Sequence, residues 1–225
     1  MLNAGEWAAL ALSARVGVVA TLVSLPVGIA LGWWLARTRS RWRPAVETVL
    51  ALPLVLPPVV TGYFLLVVLG PRGALGSWLA GMGLELAFTW RAAAVAAAVL
   101  GFPLMVRTIQ VAVQAVDPAL EQAARTLGAT RMQAFRRVTL PLARGGITAG
   151  ALLAFARSVG EFGATIIFAG NIPGETRTLP LAIYTGLQSP GGEATAMRLG
   201  LLSVLLAVAA LGLGEWIRRR DRSGA

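Results

Sequence analysis

Five stretches of about 20 apolar residues set the limits on what this chain can fold into, because a helix needs roughly that many to cross a bilayer. The stretches run from about residues 16 to 36, 48 to 69, 92 to 113, 145 to 172 and 195 to 216. Charged residues make up 13% of the 225-residue chain, compared with about 25% in soluble domains. The sequence therefore predicts an all-α polytopic membrane protein with five transmembrane helices in one domain, residues 1–225.

The arginines are distributed unevenly between the two sides that five spans would create. Three clusters fall on one side: residues 37–43, residues 107–144 and residues 218–222. Membrane proteins concentrate Lys and Arg in cytoplasmic loops, so the pattern predicts an external N-terminus and a cytoplasmic C-terminus. It also explains the net charge of +10 without nucleic acid as a partner. We expect a multi-pass protein of the cell inner membrane whose surroundings are the lipid bilayer.

Three missing residue types exclude whole classes of chemistry. All 20 basic residues are Arg, and the chain has no Lys, His or Cys. A phosphate-binding loop of the G-x-x-x-x-G-K-[ST] type needs its Lys, while common zinc sites and Ser-His or Cys-His pairs need His or Cys. The two aspartates, Asp117 and Asp221, lie in polar stretches. We therefore expect no catalytic residue, no metal site and no cofactor bound by this chain, which argues against a membrane-embedded enzyme.

A polar, Arg-rich segment separates the third and fourth apolar stretches. Asp117, followed by a proline, is a favourable helix start, and Gly128 suits the left-handed position that ends a helix. Thr130 and Gln133 have the spacing of a capping box. The sequence predicts two short helices joined by a tight turn, with Thr139–Pro141 leading out of the second helix.

This segment combines small residues with large apolar ones. Ala123 and Ala124 allow another surface to approach closely, and Met132 and Phe135 are apolar residues expected to face water. Exposed apolar residues surrounded by charge often mark interaction sites, although a basic amphipathic segment also suits anionic lipid headgroups. We favour docking of a partner protein over contact with lipid.

The same residues resemble the "EAA" coupling motif, E-A-A-x3-G-x9-I-x-L-P, of permease subunits of ATP-binding cassette importers. In this sequence the motif reads Gln122, Ala123, Ala124, Gly128, Val138, Leu140 and Pro141. Two positions depart from it: Gln122 stands where the motif has Glu, with Glu121 just before it, and Val138 replaces Ile. The resemblance implies that the segment from about residue 114 to 144 fits into a groove of a separate ATPase subunit and transmits its closure.

The resemblance also implies a type I importer permease fold and a set of partners. These are a second copy of this chain in a homodimer, two copies of the ATPase subunit and an external oxyanion-binding protein. Nearly the whole chain is similar to the molybdate branch of the family, most specifically in "LPLVLPPVVTGY", "FARSVGEFGATIIFAGNIPGETRTLPLAIY" and "SPGGE". The resemblance implies that the protein imports molybdate by alternating access, with tungstate as a related substrate.

Two alternatives differ in substrate or in mechanism. The first is a permease for sulfate or another oxyanion. The second is a self-sufficient secondary transporter, which often needs several intramembrane carboxylates and inverted repeats. Glu161 is the only carboxylate that lies clearly within the predicted spans, and no internal repeat is evident.

Four residues within the predicted spans are candidates for the transport pathway. Arg157 and Glu161 lie one helical turn apart in the fourth span, where charge is costly. They either form an ion pair that pins helices at an interface or face a pathway. Pro57 and Pro58 in the second span either kink a packed helix or form a bend that moves with a gate.

Overall fold

The computed structural model describes residues 3–223, and the side chains in that range apart from residues 211, 213–215 and 217–223. The arginine cluster of residues 218–222 therefore lies outside the described side chains. In chain order the α-helices are α1 (Ala4–Arg37), α2 (Arg43–Val55), α3 (Pro58–Leu69), α4 (Ala74–Gly81), α5 (Trp90–Gln114), α6 (Pro118–Thr126), α7 (Arg131–Ala134), α8 (Leu140–Val159), α9 (Gly163–Phe168), α10 (Leu179–Gln188) and α11 (Glu193–Ser223). A π-helical turn, Phe135–Thr139, joins α7 to α8. The orientation across the membrane stays a prediction.

Four helical segments in the described range are long and apolar enough to cross a membrane: α1, α5, the continuous helix from Arg131 to Val159, and Glu193–Ala210 of α11. A bent pair, α2 with α3, provides a fifth candidate span. The prediction of an all-α membrane protein is confirmed, and its five spans correspond to these five segments.

Helices α1, α5 and α8 form the centre of the protein. Helix α5 contributes five buried alanines, residues 92, 93, 94, 96 and 97, to a cluster that also contains Val16, Ala20 and Phe168. Small side chains let helix backbones approach closely, which is how helices associate inside a membrane where no hydrophobic force drives them together.

The second span is not one straight helix, because α2 and α3 are bent by 110° relative to each other. Leu56 and Pro57 have extended ψ angles of 141° and 133° between the two helices. A proline disfavours the helical conformation in the residue before it, and Pro57 and Pro58 in succession offer no backbone N–H to the preceding turn. The chain therefore breaks here, where a single kink was the simpler expectation.

The predicted bounds of the fourth span are also wrong. Helix α8 ends at Val159, and the separate short helix α9 begins at Gly163. Glu161 lies in the break, where its carboxylate Oε1 accepts a hydrogen bond of 2.8 Å from the backbone N–H of Ala164. This carboxylate caps α9 and so stabilises the interruption.

The predicted exit at Thr139–Pro141 is wrong as well, because the helix continues from α7 through the π-helical turn into α8. The Leu140 N–H donates to the Phe135 carbonyl, five residues back. A proline ring clashes with the carbonyl four residues before it in a regular α-helix. The wider turn, which precedes Pro141, relieves that clash and lets the helix run on to Val159.

Candidate functional site

Helices α6 and α7 form a hairpin, residues 117–134, whose ends are capped as the sequence predicts. Asp117 accepts a 2.8 Å hydrogen bond from the N–H of Ala119, and Gly128 has a φ of +91°. Thr130 accepts from the Gln133 N–H at 3.2 Å, while the Gln133 side chain accepts from the Thr130 N–H at 2.8 Å. The predicted caps, the glycine turn and the first short helix are confirmed, whereas the second helix is the start of the long helix Arg131–Val159.

One face of the hairpin presents apolar side chains to solvent. Leu127, at its tip, is 89% exposed, and Leu120 and Met132 are about half exposed. Gln122 and Ala123 are also exposed. Met132 was predicted, whereas Leu120 and Leu127 were missed. The signal for them was present, since residues 120, 123 and 127 follow the i, i+3, i+7 spacing of one helix face.

The prediction that Phe135 is exposed to water is wrong. Its ring packs against Trp33 of α1, with ring centroids 4.6 Å apart, and it is half-buried. Ala124 is half-buried too, and Leu140 packs against the α5–α8 core, while Pro141 is exposed. Some of the residues predicted to contact the ATPase subunit therefore pack against helices of this chain instead.

Glu121 makes such a connection through both charge and hydrogen bonding. Its Oε1 atom accepts from Nε of Arg37 at 2.9 Å and from the Thr139 hydroxyl at 2.6 Å. The Arg37 NH2 group also donates to the Val116 carbonyl at 2.8 Å. We call Arg37, Glu121 and Thr139 the polar latch. It ties the end of α1 to the first turn of α6 and to the π-helical turn, so Glu121 positions the hairpin from within the chain.

A second candidate site lies where the two helix breaks meet. We call this contact the helix junction, formed by residues 56–62 and residues 160–165. A Cβ atom on Gly62 would lie 2.6 Å from the carbonyl oxygen of Ala164, which is too close for any residue but glycine. The close approach of α3 and α9 therefore depends on Gly62.

The helix junction brings the predicted pathway residues into one region. Gly163 lies against Pro58, since a Cβ on Gly163 would be 3.0 Å from the proline Cβ. Pro57 precedes this contact, while Arg157 and Glu161 flank the break that precedes Gly163. The sequence named these residues in two separate spans, and the break in each span is the feature it missed.

Arg157 and Glu161 form the predicted ion pair across the end of α8. NH1 of Arg157 donates to Oε2 of Glu161 at 2.6 Å. The Arg157 side chain is 30% exposed, whereas that of Glu161 is 3% exposed. The pair thus has a buried negative end, fixed by the α9 cap, and a positive end that reaches the protein surface.

Comparisons with known proteins identify the family to which the chain belongs. Residues 28–223 match the model of a family described as the binding-protein-dependent transport system inner membrane component. The chain is 53% identical, over all of its length and 99% of the relative's, to the molybdenum transport system permease protein ModB of Escherichia coli K12. It is 38% identical, over 84% of its length and 69% of the relative's, to the sulfate transport system permease protein CysT of Salmonella typhimurium.

A solved structure shows the same fold. It is a bacterial alginate ABC transporter in complex with an alginate pentasaccharide-bound periplasmic protein, and it superposes with a TM-score of 0.75 at 20% identity over 97% of this chain and 80% of that chain. The type I importer permease fold and the membrane location predicted from the sequence are confirmed. The chain belongs to the family of inner membrane components of binding-protein-dependent transport systems.

Proposed function

We propose that this chain is the permease subunit of an ATP-driven oxyanion importer, with molybdate as its principal substrate. A second copy completes the translocation unit, and each copy docks its α6–α7 hairpin onto one of two ATPase subunits. An external binding protein delivers the oxyanion, which crosses by alternating access. The chain itself binds no nucleotide or other cofactor.

The exposed hairpin is the observation that carries this proposal. Leu127 is 89% exposed at the tip of a capped, well-defined turn, in a segment otherwise rich in arginine. Leu120 and Met132 of the same hairpin are exposed as well, and a group of exposed apolar residues surrounded by charge is typical of a surface that contacts a protein partner. The family, whose members work with binding proteins, supplies the context in which that partner is an ATPase.

Molybdate is favoured over sulfate by the extent of similarity to the two kinds of relative. Identity to the molybdenum permease covers the whole chain at 53%, whereas identity to the sulfate permease is 38% over 84% of the chain. Both substrates are tetrahedral dianions, so the machinery serves either, and the preference has to be measured.

The test is ATP hydrolysis by the complete transporter in lipid vesicles, with its ATPase and binding protein. We expect molybdate and tungstate to stimulate hydrolysis more than sulfate or phosphate. Stimulation by sulfate alone would be consistent with an oxyanion importer but would contradict molybdate as its principal substrate. No stimulation by any of the four anions would overturn the proposal.

The docking step is tested separately with Leu127→Asp. This variant should lose co-purification with the ATPase subunit, because a carboxylate cannot enter an apolar pocket without a partner. The matched control is Leu187→Asp, at the end of α10, where the side chain is 63% exposed. Equal retention of the ATPase by both variants would contradict docking through the hairpin tip.

A further inference from the structure

The helix junction places interrupted backbone on the protein surface. Pro57 and Gly160, one in each break, are both exposed. In a regular helix, the N–H groups of residues 57 and 58 would bond to carbonyls of α2. Both residues are prolines and have no N–H, so those carbonyls lack this donor. Lipid cannot satisfy such groups, so non-helical backbone at membrane depth has to face protein or a water-filled cavity.

Arg157 lies next to one of these interruptions. It is in the last turn of α8, three residues before Gly160. Among the residues that the structure describes, NH1 of Arg157 bonds to Glu161, and its Nε and NH2 atoms have no partner. An arginine has five N–H donors. In a membrane-spanning region the unused ones require water, an anion or an acceptor from a second copy of the chain, and the tests below distinguish these.

We propose that Arg157 is a transient binding point for the oxyanion in an aqueous pathway at the helix junction. This inference rests on the proposed function, because it takes a tetrahedral dianion as the transported species. The planar guanidinium suits bidentate hydrogen bonding to two oxygens of such an anion. Arg157 is therefore a substrate-contacting residue, and the chain has a specific point of anion recognition in its pathway.

Glu161 adjusts the strength of this contact. Both of its oxygens are occupied, one by Arg157 and the other by the N–H of Ala164, and its side chain is buried. The carboxylate holds the guanidinium in place and offsets part of its charge. A transport pathway requires binding that is strong enough to admit the ion and weak enough to release it, and this paired arginine fits that requirement.

The absence of cysteine from the chain allows a clean accessibility test. Arg157→Cys is combined with Glu161→Gln, so that no uncompensated carboxylate remains, in the complete transporter without nucleotide. We expect rapid modification by the anionic reagent 2-sulfonatoethyl methanethiosulfonate. The control is Ala154→Cys, three residues earlier on α8 and 3% exposed.

Two results would overturn the proposal. One is modification at position 157 that is no faster than at position 154. The other is a disulfide between the position-157 cysteines of two copies, which would place the residue at a protein interface where it pins helices.

A transport assay gives an independent measurement. Arg157→Gln, combined with Glu161→Gln so that no unpaired carboxylate is left buried, should reduce molybdate uptake about tenfold at limiting substrate, while ATP hydrolysis stimulated by the loaded binding protein persists. Arg157→Lys, which keeps the charge, should recover part of the uptake. Parallel loss of uptake, hydrolysis and thermal stability would indicate a structural role only and contradict the proposal. Uptake by the natural chain in the same assay tests the proposed function separately.

Discussion

The polar latch makes a quantitative prediction about how the hairpin is held. Replacing Arg37 or Glu121 by glutamine removes the charge interaction; the side-chain length is kept at position 121 and shortened at position 37. The contact joins residues 84 positions apart, so its loss separates α6 from α1 without changing local helix propensity. We expect each single variant to loosen the hairpin and the double variant to be little worse than either.

The magnitude follows from the geometry of the contact. Hydrogen bonds to charged groups contribute about 1.5–3 kcal/mol, whereas fully exposed ion pairs contribute about 0.2–1 kcal/mol. The Arg37 and Glu121 side chains are 20% and 19% exposed, which places this pair between the two classes. A double-mutant cycle should therefore give a coupling free energy of about 1–2 kcal/mol.

The assay is reversible unfolding in mixed micelles for the natural chain, both single variants and the double variant. A matched cycle pairs Glu121→Gln with Arg39→Gln, since Arg39 is exposed and makes no contact with Glu121 in the described structure. In the complete transporter, the latch variants should also transport fewer oxyanions for each ATP hydrolysed. A coupling free energy below about 0.4 kcal/mol, the usual scatter of additivity, would refute the latch.

Three further predictions concern glycines with distinct surroundings. Gly128→Val should destabilise the hairpin by about 1–2 kcal/mol, because a side chain at positive φ is strained, and should reduce ATPase co-purification. Gly62→Ala should cost about 1–3 kcal/mol of unfolding free energy through overpacking against Ala164, whereas Gly81→Ala, with open space around it, should cost nothing. Gly145→Pro should lower the free energy of unfolding by about 3 kcal/mol and allow ATP hydrolysis without transport. Gly145→Ala, also in open space, should retain both hydrolysis and transport. Equal transport by the two variants would contradict coupling through α8.

The parts of the fold that the sequence predicts correctly depend on local interactions. The caps at Asp117 and Thr130 involve residues two or three positions apart, and Gly128 acts through its own φ angle. The apolar stretches give the spans because bilayer thickness sets their length. Such features need no knowledge of distant residues.

The missed features depend on contacts between distant parts of the chain. Phe135 has the pattern of an exposed residue until Trp33, about 100 positions earlier, is placed beside it. The break after Val159 had a signal, because the predicted span from residue 145 to 172 is longer than the roughly 20 residues that a bilayer needs. The capping role of Glu161 became evident only with the end of α8.

The continuous helix from Arg131 to Val159 connects the two candidate sites. Its 29 residues extend about 43 Å at 1.5 Å per residue, with the hairpin at one end and Arg157 at the other. A loop at Thr139–Pro141 would absorb movement of the hairpin, whereas a helix passes it on to the junction. The π-helical turn is the wider point in this helix, and the polar latch contacts it through the hydrogen bond between Thr139 and Glu121. We therefore expect a displacement at the hairpin tip to reach the break beside Glu161, where a small rotation of α8 would change the packing of Gly62 against Ala164.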